Sequence, residues 1–398
     1  MKKSLIALAF GTFALGITEY VMMGILPFVA NDFRITIPQA GYFISAYALG
    51  VCVGAPLVAL FCRKWPLKRI LYMLVGILIA ASVCMTFCPV PQDDSTGLTW
   101  QFWLMMLFRF MAGTPHGAFF GVGSIVADRV SKGSGSVFAV AIMCSGMTFA
   151  NLIGIPLGTF LTGMWSWRLV FGFASLWELL TMIAVIKWIP QMQPLPDHGI
   201  RGEFRFLKTL APWLIFGATV FGNIGVFSWY SYISPTLTQL SGVPESWMTM
   251  MMVLAGAGMV VGNLTGGKLS DKYGPGHTGL GLEWMIFIGL LLISLTAQWM
   301  WSSIVLMFIV AAGLFAVSSP QQLLLLRFSK GGELMGGAMI QLAFNLGNAI
   351  GAYVGGIPIN EADPQTYHKP AAIGAAFAIL GVVCYIVFCR RYERRRKA

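Results

Sequence analysis

The chain has 398 residues, 57% of them hydrophobic and 10% charged, with a formal net charge of +11 and a mean hydropathy of +0.76. That composition excludes a water-soluble globular domain, in which about a quarter of the residues are charged. The positive charge would suit a nucleic-acid binder, but its distribution is that of a membrane protein, and no nucleic-acid partner is expected.

Twelve apolar runs are long enough to cross a hydrocarbon core of about 30 Å, which takes roughly 20 helical residues each. They lie at 4–30, 38–61, 70–88, 100–127, 135–161, 168–189, 210–237, 246–266, 279–297, 302–326, 334–357 and 370–389. Strands alternating at barrel length are absent, so these spans are expected to be helices and the fold all-α. The first run, "MKKSLIALAFGTFALG", opens like a signal peptide. No small-residue cleavage site closes it before Ala30, so it reads as a helix.

With the N-terminus in the cytoplasm, 22 Lys and Arg fall on the cytoplasmic side, six of them in the tail "CRRYERRRKA". Only Arg34, Arg168 and Lys369 fall on the other side, and Arg109 is embedded. This bias puts both termini in the cytoplasm of a plasma-membrane protein and sets the tail against anionic lipid. The longest cytoplasmic segment, "PQMQPLPDHGIRGEFRFLKTL", divides the chain. The expected organisation is a helical bundle at 1–190, a linker at 191–209, a second bundle at 210–389 and a basic tail at 390–398. The seven Cys are odd in number and mostly within spans, so neither a disulfide framework nor a metal site is indicated. No cofactor is expected. Patterns of the H-E-x-x-H, G-x-S-x-G and phosphate-loop kinds are missing, which speaks against an intramembrane enzyme.

The two halves share phrases in the same order. "FGTFALG" from Phe10 returns as "FGATVFG" from Phe216, Gly50 and Gly54 return as Gly258 and Gly262, and "NLIGIPLG" from Asn151 returns as "NAIGAYVG" from Asn348. Six plus six helices with internal repeats is the plan of many secondary transporters, whose substrate sites lie near the midplane.

These phrases, with "YALGVCVGAP", "RFMAGTPHGAFFGVG", "SGMTFANLIGIPLGTFL", "WSWR" and "FNLGNAIGAY", resemble the major facilitator superfamily over essentially the whole chain. The branch resembled is that of twelve-helix drug:proton antiporters and sugar-efflux proteins. The resemblance implies a transporter of two six-helix pseudo-repeats. Its fourth-helix arginine motif falls on Arg109 to Gly113, and its antiporter motif matches Gly146, Gly154, Pro156 and Gly158. The loop motif G-x-L-x-D-x-x-G is broken in the first half, where Arg63 takes the Asp position and Pro66 the second Gly. It is intact as "GKLSDKYG", so gating is expected at Gly267, Asp271, Lys272 and Gly274, with Gly154, Pro156 and Gly158 as the first-half gating elements.

A charge at mid-bilayer costs about 2.5–3.5 kcal/mol on insertion scales, so each one that remains needs a partner or water. The embedded acids are Glu19, Glu178 and Glu283. By depth, Glu19 lies roughly 3 Å and Arg109 about 6 Å to the outer side of the midplane, and His116 about 5 Å to the inner side. Glu19, Arg109 and His116 are the expected proton-coupling residues, with Glu19 and Arg109 as a pair; a permanent ion pair is the plainer alternative. Glu178 is expected on a peripheral helix, and Glu283 within about two turns of cytoplasmic water. Arg109, Gly113, His116, Gly117 and Phe120 share one helix face, and Gly113, Gly117 and Gly121 form a small-residue ladder for close packing.

Candidate substrate-binding residues are the neutral polar groups Asn151, Asn223, Gln341, Asn345 and Asn348, with Trp229 and Tyr230. The amides suit hydroxyl groups or helix–helix bonds equally, and the two aromatics suit stacking on a ligand or an interfacial belt. The expected activity is proton-coupled export of a small molecule, a sugar such as arabinose or a related polar compound, by a monomer. Export of amphipathic drugs and a non-transporting sensor of the same fold are the alternatives.

Overall fold

The computed structural model describes residues 2–62, 64–92, 98–131, 136–194, 205–329 and 333–393. The first helices are α1 (Lys2–Phe33), α2 (Ile37–Phe61), α3 (Leu67–Thr86), α4 (Trp100–Ser131), α5 (Ser136–Phe149), α6 (Ile155–Met164) and α7 (Arg168–Trp188). They are followed by α8 (Leu210–Tyr230), α9 (Met248–Tyr273), α10 (Pro275–Thr296), α11 (Met300–Phe328), α12 (Glu333–Gly356) and α13 (Lys369–Phe388). Single turns of other pitch join some of them. Ten helical segments of the described residues are both long and apolar enough to cross a membrane. Neither α4, which carries Arg109 and His116, nor α12, with its Asn and Gln side chains, is among the ten, although they run to 32 and 24 residues.

Helix ends follow local chemistry. Arg34 adopts φ +53° after α1, and its N–H and that of Ile35 return to the carbonyls of Asn31 and Ala30; this closes the last turn in the left-handed manner. Gly274, at φ +84°, ends α9 and lets Pro275 start α10 one residue later, the Gly-then-Pro order that stops one helix and starts another.

The chain forms two compact units, Met1–Ile35 with Ala46–Asp197, and Thr36–Ser45 with His198–Ala398. Within the first, α1 packs on α4, α5 and α7, and α3 on α4 and α7. Within the second, α8 packs on α11, α12 and α13, and α10 on α11 and α13. The start of α2 belongs to the second unit: Ser45 Oγ donates to the Ala349 carbonyl at 2.9 Å, the Ile37 N–H meets the Glu361 carboxylate, and the Tyr42 and Tyr353 rings lie 5.6 Å apart.

The repeated glycines do the same work in each unit. Gly50 and Gly54 of α2 rest on the carbonyls of Phe110 and Thr114 in α4, and Gly113 rests on that of Tyr47. Gly262 and Gly266 of α9 rest on the carbonyls of Ala312 and Ala316 in α11. A side chain at these crossings would meet backbone, which cannot swing aside. Gly121, by contrast, faces open space, so the expected ladder of α4 packs at Gly113 but not there.

Gly54→Val and Gly262→Val should therefore each cost about 1–3 kcal/mol through overpacking, while Gly121→Ala should be neutral or stabilising by up to about 1 kcal/mol. Thermal unfolding of the three variants in one detergent checks the contrast.

Candidate functional site

The first unit buries a cluster of ionisable groups where α1, α2 and α4 meet. Arg109 is fully buried. Its Nη1 donates to the Thr18 carbonyl at 2.6 Å, its guanidinium carbon lies 4.7 Å from the centre of the Tyr47 ring, and it lies within electrostatic reach of Glu19. Stacking on an aromatic face and donation to a fixed carbonyl are what a guanidinium does well away from water.

His116 lies on the same cluster. Its Nδ1 is 3.0 Å from the Tyr47 hydroxyl and 3.7 Å from Glu19 Oε2, and its ring stacks on Phe120 with centroids 5.2 Å apart. Nδ1 thus faces one group that can donate a proton and one that can receive it, and the tautomer decides which bond forms. The three expected coupling residues come together, with the Glu19 carboxylate between a cation and an imidazole.

Tyr47 joins Arg109 to His116, and sequence reasoning missed it. A tyrosine in an apolar span is ordinary, and the available signal was its position three residues before Gly50 on the face that crosses α4. Glu178 also borders the cluster. Its Oε1 accepts from Ser82 Oγ at 2.8 Å and from Thr18 Oγ1 at 3.5 Å, while among the described residues Oε2 has no hydrogen-bond partner. A void of about 10 Å³ lined by Pro115, Phe119 and Glu178 lies beside it, room for about one water. Glu283 is a correction. It was expected within reach of cytoplasmic water, but it is fully buried, because α8 and α13 close over it at Gly222 and Gly381.

The antiporter motif shapes α5 and α6. Pro156 has no N–H to give to the preceding turn, and the chain answers with a π turn at Ala150–Gly154. Gly146 rests on the Ala9 carbonyl of α1, Gly154 on Ile17 and Gly158 on Val21. Asn151, inside the π turn, is buried, and among the described residues neither of its side-chain polar atoms has a hydrogen-bond partner.

In the second unit Asn223 donates to the Thr219 carbonyl at 2.7 Å and Asn345 to the Gln341 carbonyl at 3.0 Å, which leaves their Oδ1 atoms as unused acceptors. Asn348 is fully buried and Gln341 partly so. Trp229 and Tyr230 are buried at 1% and 2% exposure, and among the described residues Trp229 Nε1 is an unused donor. Gly267 faces open space, Gly274 is the left-handed helix end and Lys272 Nζ lies 4.9 Å from the Tyr273 ring centre. The Asp271 side chain lies outside the described residues.

The model of the Major Facilitator Superfamily matches residues 8–352, and AraJ of Escherichia coli is 42% identical over 398 residues, 100% of this chain and 98% of that one. The chain belongs to the Major Facilitator Superfamily. As a member of that family of membrane transporters it is a multi-pass inner-membrane protein that carries small molecules. The inner membrane transport protein YdhP of Escherichia coli is 32% identical over 97% of this chain and 96% of its own. A probable sugar efflux transporter of Helicobacter pylori is 25% identical over 88% and 86%. Among solved structures, that of the xylose transporter XylE from E. coli, in a partially occluded inward-open conformation, aligns with a TM-score of 0.73 at 12% identity, covering 95% of this chain and 96% of XylE.

In this transporter the "WSWR" phrase serves a second cluster, at the end of α1. Asp32 Oδ2 at the end of α1 accepts from Trp167 Nε1 at 2.7 Å and from Arg168 Nη1 at 3.3 Å, and Arg168 Nη2 donates to the Cys88 carbonyl at 3.2 Å. The Cys88 thiol there is pushed up to about 11, mainly by burial.

Tyr47→Phe keeps the ring under Arg109 and loses the hydroxyl's contacts with His116 Nδ1 and, at 3.5 Å, the Leu15 carbonyl, an expected cost of about 1 kcal/mol. Tyr47→Ala removes the ring as well and should cost about 3–5 kcal/mol. Equal losses in thermal unfolding would remove the stacked ring from the account.

Proposed function

We propose that this transporter is a proton-coupled antiporter that exports a small polar compound, a sugar before all others, by alternating access. In this reading twelve helices form two six-helix pseudo-repeats, bundles at 1–190 and 210–389 joined by the linker at 191–209, with both termini in the cytoplasm. The bias of 22 basic residues to 3 supports the orientation. The lengths of α4 and α12 support the helix count. The basic tail at 390–398 would lie on anionic lipid, and the protein would act as a monomer.

The observation that carries the reading is the contact of Glu19 with His116 beside Arg109, all buried. An acid placed between a cation and an imidazole exchanges a proton when its neighbours shift, whereas the same acid in a rigid core has no such trigger. Buried amides with unused acceptors, Asn151 in one half and Asn223 and Asn345 in the other, support a hydroxyl-rich cargo. The name of the Helicobacter pylori relative supports sugar efflux. The buried Trp229 and Tyr230 favour amphipathic compounds as the second reading. Gly154, Pro156 and Gly158 around the π turn, and Gly267, Asp271, Lys272 and Gly274 at the end of α9, are the proposed gating elements.

In vesicles with an imposed pH gradient, Glu19→Gln should lose the stimulation of export by protons, about 5- to 150-fold for a typical coupling energy, while exchange of labelled for unlabelled sugar continues. A variant that keeps its full pH dependence would overturn the assignment of Glu19.

A further inference from the structure

The second unit holds a column of buried polar groups along the seam between α10 and α13. The two helices present matching faces. On α10, Gly276, Gly279 and Glu283 stand at i, i+3 and i+7; on α13 and the turn after it, Gly381, Tyr385, Cys389 and Glu393 stand four residues apart. Each glycine accommodates a polar group opposite. Gly276 abuts Glu393, Gly279 abuts the Tyr385 phenol, and Gly381 abuts the Glu283 carboxyl.

At the exposed end of the column the Gly276 N–H donates to Glu393 Oε1 at 2.8 Å, and Glu393 Oε2 lies 2.5 Å from Nδ1 of the exposed His277. At the inner end Glu283 is fully buried, and among the described residues neither of its oxygens has a hydrogen-bond partner. Between them Tyr385 lies within electrostatic reach of Glu283, Cys389 and Glu393 and beside the Gln321 side chain of α11, yet neither the Tyr385 hydroxyl nor Gln321 Nε2 makes a hydrogen bond of good geometry. Thr278 Oγ1 is a further buried, unpaired atom on the same helix.

A run of polar atoms left unsatisfied by protein is where small polar guests are held, and an isolated carboxylate in a low-dielectric site is tolerated at low cost only when it carries a proton. We infer that Glu283 is a proton-binding site, reached from the cytoplasmic rim at His277 and Glu393 through the Tyr385 hydroxyl. The ionisable groups facing Glu283 are Cys384 and Tyr385 of α13; α8 presents Gly222, and α11 contributes the uncharged Gln321 by way of Tyr385. A proton arriving at the rim passes to Tyr385 OH as that hydroxyl gives its own proton to Glu283, so no charge stays on the phenol and the carboxyl becomes neutral. This goes beyond the proposed role of Glu19, which lies in the other unit, and stands or falls without it.

The experiment is infrared spectroscopy of the purified, substrate-free protein transferred from H2O to D2O. The carboxylic C=O band that vanishes in Glu283→Gln identifies the residue, and the band's isotope shift reports exchange of its proton. Glu19→Gln and Glu178→Gln are measured in parallel to remove their bands. Tyr385→Phe, which keeps the ring against Gly279 but removes the relaying hydroxyl, should slow the exchange about tenfold, and His277→Ala should slow it too. The inference is overturned if no carboxylic band is lost in Glu283→Gln, if the band never shifts in D2O, or if Tyr385→Phe exchanges at the wild-type rate. None of these results bears on the pH dependence of Glu19→Gln export, so the two readings fail separately.

Discussion

The contact of α2 with α4 is the constraint on which the first unit's chemistry depends. Gly50, Gly54 and Gly113 bring the two backbones together at the carbonyls of Phe110, Thr114 and Tyr47, an approach that side chains at these crossings would prevent. That approach sets the Tyr47 ring under the Arg109 guanidinium and its hydroxyl on His116. An arginine is costly in hydrocarbon, and here its compensation comes from neighbours whose positions are fixed by backbone contact rather than by flexible side chains. A local sequence feature, small residues four apart, thus becomes a packing geometry and then an electrostatic site.

The other wall of the cluster is α1, held by the stretch from α5 to α6. Pro156 removes one backbone donor, the helix widens into the π turn, and Gly146, Gly154 and Gly158 keep the pair in close contact on either side of it. A π turn is a place where helical hydrogen bonds are already rearranged, and such turns recur at functional sites. Its position opposite Ile17, two residues from Glu19, ties any change of register in that segment to the residues around the acid. In the second unit α12 lies equally close to α8, with Gly351 and Gly355 resting on the carbonyls of Ile224 and Ser228, but without a proline or a π turn in the described part of the helix.

Much of this was legible in the sequence, and the limits have physical causes. Arg109 and His116 stood out because polar groups in an apolar run need an explanation, and their helical spacing placed them on one face. The glycine repeats were visible for the same kind of reason, and at Gly50, Gly54, Gly258 and Gly262 the structure gives each recurrence a carbonyl to rest on. Tyr47 was not legible, since a phenol is at home in many membrane environments and only its partners reveal its part. Glu283 was misjudged because counting residues along a helix measures depth, whereas exposure is decided sideways, here by Gly222 and Gly381 on two neighbouring helices.

The helix pairings also make the two unmatched acids comparable. In the first unit α7 packs on both α1 and α3, and in the second α8, α10 and α13 pack on one another. Each trio holds one buried glutamate, Glu178 on α7 and Glu283 on α10. The first has the hydroxyls of Ser82 and Thr18 to donate to it, groups that can support a carboxylate. The second has glycines on two sides and a phenol near by, which admit its bulk and offer it far less. Two acids in equivalent junctions therefore differ in the one property that matters for binding a proton, the number of donors aimed at their oxygens. Related helix trios with opposite provision for charge give the two halves different chemistry on a shared frame.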